Sequence, residues 1–195
     1  MAPRTRQKQR TRAALLKGAR DVLDRGEALT VQAAADAAGI SKATAYRYFP
    51  DPGSLAAEAM LDIDMPTADR ILEGIAGTRA RAQRVRGFYL DFTFEHEAQF
   101  RAYLAQTMRD WAARSQEARR GMRGARRVAA FELALTSERP RLGPEGLREL
   151  VQCLSTATGI EQLIALSDVC GLDRAAADRV SARVVDALLD SYGVS

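Results

Sequence analysis

Apolar residues recur at helical spacing along almost the whole chain, and no alternating run bounded by a hairpin dipeptide marks a strand. Leu15, Ala19, Val22 and Leu23 share one face of a first helix ending near Gly26. Thr30 is a natural N-cap for VQAAADAA, which Gly39 stops. Ser41 caps a second short helix, expected over residues 42 to 49. Asp51 then Pro52 set an N-cap followed by proline at the first helical position. Residues 8 to 64 therefore read as four helices, the middle two joined by a glycine turn. Beyond Met65 and Pro66, helices are expected over 67–76, 79–95, 97–114, 121–137, 145–168 and 173–191. The breaks fall at Gly77, near His96, in the arginine-rich stretch at 115–120, in the loop from Pro140 to Pro144, and at Gly171. The expected fold is all-α, with about nine to ten helices and no flexible linker.

Composition narrows the class. Of the 195 residues 47% are hydrophobic and 28% charged, the balance of a globular protein with a real core. Charges interrupt every apolar stretch, so none reaches the roughly 20 residues that span a bilayer. The opening MAPRTRQKQRTR has no apolar segment behind it, so no secretory signal is expected and the location reads as cytoplasmic. Cys153 and Cys170 are expected to be buried thiols, since two isolated cysteines make neither a disulfide framework nor a metal quartet. No Ser/His/acid spacing, phosphate-cradling glycine loop or metal cluster points to an enzyme, a cofactor or a metal. His96, the only histidine, reads as a surface or helix-start residue.

Charge adds a partner. Residues 1–50 hold ten Lys/Arg and four Asp/Glu, a balance of +6, whereas residues 51–195 hold nineteen and twenty-one, a balance of −2. A basic head on a near-neutral body suggests a partner carrying phosphates. Arginine richness by itself says less, because it also follows from GC-rich coding.

Helix, glycine turn, helix, behind a basic lead-in, is the helix-turn-helix pattern, whose second helix lies in a major groove. Ser41, Lys42, Ala43 and Thr44 are small or flexible, which lets the backbone approach DNA. Lys42 can donate to guanine O6 or N7, and the Ala43 methyl can meet a thymine methyl. Thr44, Tyr46 and Tyr48 carry hydroxyls suited to phosphate oxygens, contacts that set register rather than sequence. Phe49 and Ile40 are expected to point into the small core. Thr30, Gln32 and Arg47 complete the expected DNA-binding set, with Arg4 and Arg6 of a basic arm that continues through Lys8, Arg10 and Arg12. The competing reading of the aromatics is ordinary packing in a helical domain.

The segment TVQAAADAAGISKATAYRYFPDPGSL resembles the DNA-binding segment of TetR-family transcriptional regulators. Thr30, Gly39, Ser41, Thr44, Tyr46, Tyr48, Phe49 and Leu55 match the family pattern as they stand. There are two departures: Ala43 replaces the usual glycine, and Pro52 the lysine that opens the fourth helix. The resemblance implies a helix-turn-helix DNA-binding domain over residues 1–51 and a helical ligand-binding and dimerisation domain over 52–195. It also implies a homodimer through the last two helices, on a palindromic operator released by a small effector. The alternative is a helical nucleic-acid-binding or interaction protein without ligand response.

Periodicity supports a dimer face separately. Leu147, Leu150, Val151 and Leu154 repeat at helical spacing and continue through Ala157, Ile164 and Ala165. The last helix offers Ala176, Val180, Val184, Leu188 and Leu189, and Ala157, Thr158 and Gly159 would let helices approach closely. For an apolar or aromatic effector, the expected pocket uses Phe92, Tyr103, Met108, Trp111 and Phe131, with Thr158 and Gln162 as polar partners.

Overall fold

The computed structural model describes residues 3–61, 65–113 and 126–195. Among them there are eleven α-helices and no strand. In chain order these are α1 (Pro3–Asp24), α2 (Val31–Ala37), α3 (Lys42–Tyr48), α4 (Pro52–Leu61), α5 (Ala68–Ile71) and α6 (Thr78–Glu95). Then follow α7 (Glu97–Ala113), α8 (Arg126–Ala134), α9 (Arg139–Thr156), α10 (Ile160–Ile164) and α11 (Arg174–Ser191). No helix among the described residues is long and apolar enough to cross a membrane. The expected break at 115–120 lies outside the described residues.

The chain forms two compact units, each built from two segments: residues 1–64 with 96–123, and residues 65–95 with 124–195. These units differ from the partition expected between residues 51 and 52. Helix α4 packs on α1, and α7 packs on both α4 and α1. Contact is close at Gly53, where a Cβ would meet the Gln106 side chain at 1.7 Å.

In the first unit, Leu15, Leu16 and Ala19 of α1 meet Val31, Ala34 and Ala35 of α2, with Ala45, Phe49 and Leu55 closing the core. Phe49 is buried and Ile40 packs partly buried against the cluster, as the pattern predicts. Alanines let α1 and α2 lie close together. Gly18 marks the closest approach: a Cβ there would stand 2.4 Å from the Ala34 carbonyl oxygen.

The second unit centres on Phe131, Leu135, Leu150, Leu154, Val185 and Leu189. A polar row fastens α6 to α11. Arg79 pairs with Asp186 at 2.9 Å and with Asp190, Gln83 donates to the Ala182 carbonyl at 3.0 Å, and Arg86 pairs with Asp178 at 2.7 Å. Arg174 of α11 closes the row on Asp91 at 2.6 Å.

Four expectations change. Helix α1 begins at Pro3, so the expected arm is helical backbone. The helix expected at 67–76 is only four residues long, since the chain turns at Gly74 and Gly77, both at positive φ. The helix expected over 145–168 breaks: the Thr158 hydroxyl donates back to the Leu154 carbonyl at 3.1 Å, and Gly159 takes φ 89. Ala157, Thr158 and Gly159 thus make a corner, not a close-packing stripe. Finally, Cys170 is exposed and Cys153 half-buried, because Cys170 sits at the open end of the turn before Gly171.

Burial in the second unit pushes the Tyr89 phenol up to about 12, only partly offset by Arg126 and Arg127. A raised phenol favours the neutral form, so this contribution to stability is full below the ordinary value of 10.0. It is lost as pH rises from 10.0 to about 12. Tyr89→Phe should therefore flatten the fall of melting temperature over that interval. Parallel falls in parent and variant would refute the assignment.

Candidate nucleic-acid interface

Helix α3 is short and capped at its start by Ser41, whose hydroxyl accepts from the Thr44 N–H at 3.4 Å and donates to the Thr44 hydroxyl at 2.9 Å. At 3.6 residues per turn, Lys42, Ala43, Tyr46 and Arg47 fall within an arc of about 140°. All four are exposed, whereas Ala45 is buried and Thr44 and Tyr48 are half-buried. The helix thus has one face for the core and one for solvent. Tyr46, at 44% exposure, lies on the solvent face, and Tyr48 packs partly against the core cluster. The two tyrosines are not equivalent. The Lys42 ammonium stands 5.9 Å from the centroid of the Tyr46 ring, at the outer limit of a cation–π contact.

Helix α2 supports this face. The Thr30 hydroxyl accepts from the Ala33 N–H at 2.9 Å, and Gln32 donates to Asp36 at 2.6 Å. Gly39 takes φ 64 in the turn between α2 and α3, a conformation that spares glycine the usual side-chain clash. Thr30 and Ser41 are therefore first of all caps, and their side chains are engaged within their own helices.

The electrostatics of this unit are uneven. Arg12 pairs with Glu58, Lys17 with Asp21 at 2.6 Å, Arg25 with Glu27 at 2.6 Å and Arg101 with Glu97 at 2.6 Å. Lys8, Arg10, Lys42 and Arg47 have no carboxylate partner among the described residues. Lys8 and Arg47, with Gln7 and Tyr48, line a cleft of about 400 Å³ between the start of α1 and the end of α3. The side chains of Arg4 and Arg6 lie outside the described residues. Lys8 belongs to the basic arm expected from the sequence, whereas Gln7 carries no signal there beyond the helical continuity of α1 back to Pro3.

The residues expected to hold an effector are shared between the two units. Tyr103, Met108 and Trp111 fall in the first unit; Phe92, Phe131, Thr158 and Gln162 fall in the second. Met108 is 63% and Trp111 50% exposed on α7, while Phe131 is fully buried core. Phe92 stacks on Phe88 at 5.6 Å. Thr158 closes the corner before α10, and Gln162 accepts from Ser181 at 3.1 Å. A cavity of about 490 Å³ in the second unit lies beside Thr78, Arg81, Leu133, Thr136 and Ser137.

The expected dimer stripe divides as well. Leu147, Leu150, Val151 and Leu154 are buried in their own unit, as is Leu189. Val180 and Val184 of α11 are each 40% exposed and share a face one turn apart, with Val169 80% exposed nearby in sequence. No family model, curated protein or solved structure matches the chain.

Proposed function

We propose that the protein is a transcriptional regulator that binds duplex DNA by laying α3 in the major groove. The observation that carries this reading is the distribution of unpaired cations. Arg12, Lys17, Arg25 and Arg101 of the first unit pair with carboxylates, whereas Lys42 and Arg47 on the solvent face of α3, and Lys8 and Arg10 on α1, have no carboxylate partner among the described residues. A solvated face gains nothing from such a choice; a polyanion does. The side chains at the start of α3 are those nearest the base edges in this docking mode, which gives Lys42 and Ala43 the reading positions. Tyr46 and Arg47, further along the same face, would meet phosphates.

The exposed valines of α11 support a second copy of the chain as partner, which would supply the two-fold symmetry that a palindromic site requires. The TetR-like segment adds an effector-released repressor as the regulatory mode, through ligand binding better to the conformer with lower operator affinity.

Selection of bound duplexes from a random pool, followed by competition titrations, tests the reading. Lys42→Ala should relax preference at one position in each half-site, by about 1–3 kcal/mol. Tyr46→Phe should weaken selected and unselected duplexes together and leave the preference in place. Light scattering on the same samples should give twice the chain mass of 21.3 kDa. If neither substitution changed affinity or preference, α3 would not be the reading helix.

A further inference from the structure

The cavity of about 490 Å³ in the second unit lies between the loop leading into α6 and the end of α8. Ile75, Leu133 and Ala134 give it an apolar wall, and Arg81, Thr78 and Ser137 a polar one; no carboxylate lines it. Three arginines of α6 are wholly or partly buried, and they are not partnered alike. Arg79 pairs with Asp186 and Asp190, and Arg86 with Asp178. Arg81 has no carboxylate partner among the described residues. Its guanidinium donates to the Ile75 and Leu133 carbonyls, each at 3.3 Å, beyond the usual range for such bonds. Two of the five guanidinium N–H groups are thus engaged, and weakly. A cation is favoured at the C-terminal end of α8, which accounts for the place of Arg81. A helix end carries only about half an elementary charge, however, so the guanidinium remains largely uncompensated.

The hydroxyls add a donor. Thr78 and Ser137 bond to each other at 2.8 Å, and whichever donates, the other keeps a hydrogen to give. The Thr136 hydroxyl is instead turned back on the Glu132 and Leu133 carbonyls. The cavity therefore offers one positive charge and one hydroxyl donor beside an aliphatic wall. A single guanidinium matches a single carboxylate, which it can grip through two parallel N–H···O bonds. A phosphate monoester, at about −1.5 to −2 charges, would stay partly uncompensated. The aliphatic wall calls for an apolar body, and the volume falls within the roughly 300–1,000 Å³ of small-molecule sites. We propose that this cavity binds a small monocarboxylic acid with an apolar body. Its carboxylate sits on Arg81 and the Thr78–Ser137 pair, and its body lies against Ile75 and Leu133. The inference concerns the second unit alone and does not depend on α3 binding DNA.

Amide resonances of the full-length chain, titrated with hexanoate in the absence of DNA, test both the site and the ligand class. For so small an acid a Kd on the order of 1 mM is expected, with the largest shifts at residues 75–81 and 133–137. Hexanol, which keeps the apolar body and lacks the charge, should bind at least about tenfold more weakly. Arg81→Gln should weaken hexanoate by a similar factor and leave hexanol unchanged. Ala76→Glu places a like charge at an exposed position on the cavity wall and leaves Arg81 in place. It should also weaken hexanoate and spare hexanol, and it decides the matter if Arg81→Gln does not fold. Hexanoate bound equally well by the parent and Ala76→Glu would overturn the site. Equal binding of hexanol and hexanoate by the parent would make the cavity a plain apolar groove and overturn the carboxylate. Displacement of hexanoate by inorganic phosphate at equal ionic strength would make it a general anion site and overturn the ligand class. Absence of saturable shifts at these residues up to about 20 mM hexanoate, well above the expected Kd, would overturn the inference and leave the reading of α3 untouched.

Discussion

Gly18→Ala lowers the melting temperature by up to roughly 8 °C and weakens DNA binding, although alanine is the better helix former by about 1 kcal/mol. The added methyl would stand 2.4 Å from the Ala34 carbonyl oxygen and 3.2 Å from the Ala38 Cβ. The nearest obstacle is backbone, which has no rotamer to escape into, so α2 must move away from α1. Overpacking of this kind costs typically about 1–3 kcal/mol, and occasionally more. Because α2 carries the turn that sets α3, the displacement reaches the reading face. Gly87→Ala in α6 is the matched control, since a Cβ there meets nothing within 4 Å. It should be neutral or stabilising by up to about 1 kcal/mol. Calorimetry of both variants decides: equal melting temperatures would mean that α1 and α2 are not in the close contact described.

Phe131→Ala is expected to cost about 3–5 kcal/mol, the largest single effect here. The ring is fully buried within the cluster that holds Leu135, Leu150 and Val185, and its removal leaves a cavity that the surrounding helices would have to collapse to fill. Met108→Ala, at a residue 63% exposed, should change stability by no more than about 0.5 kcal/mol. The pair tests whether these residues are core and surface, as described. Thermal melts of the full chain suffice. A Phe131→Ala protein as stable as its parent would mean that space already exists beside the ring, and would restore Phe131 as a pocket wall.

Local signals in the sequence carried furthest where structure is itself local. Thr30, Gly39 and Ser41 bound two seven-residue helices whose limits agree with their caps. Capping and a positive-φ turn depend on only a few neighbouring residues, so they are readable without the rest of the fold. The corner at Gly159 was harder. Its apolar periodicity continues from Leu154 to Leu163, and the break is held by Arg127 of α8, which donates to the Thr158 carbonyl at 3.0 Å. No feature within the α9 segment announces that partner. Aromatic residues were the least legible of all. Phe131 and Trp111 are both aromatic in sequence, and only tertiary packing decides that one is core while the other is exposed. The same ambiguity affects the stripe of α9, whose leucines face their own unit, leaving the shorter valine face of α11 for a partner.

The two-segment make-up of the first unit has a consequence for synthesis on the ribosome. Residues 1–64 leave the exit tunnel first, yet the face of α4 that α7 covers stays bare until residues 97–113 follow. At about 5–20 residues per second, the intervening roughly 50 residues take on the order of 2–10 s. During that interval the nascent head carries its basic helices and an uncovered apolar surface at once. A chain stalled once residues 1–64 have emerged, but before α7 has, should therefore be cut readily by protease in α4, whereas one stalled after α7 has emerged should resist. The head matures only when the chain returns to it, so the gap between the segments acts as a delay before a functional surface can exist.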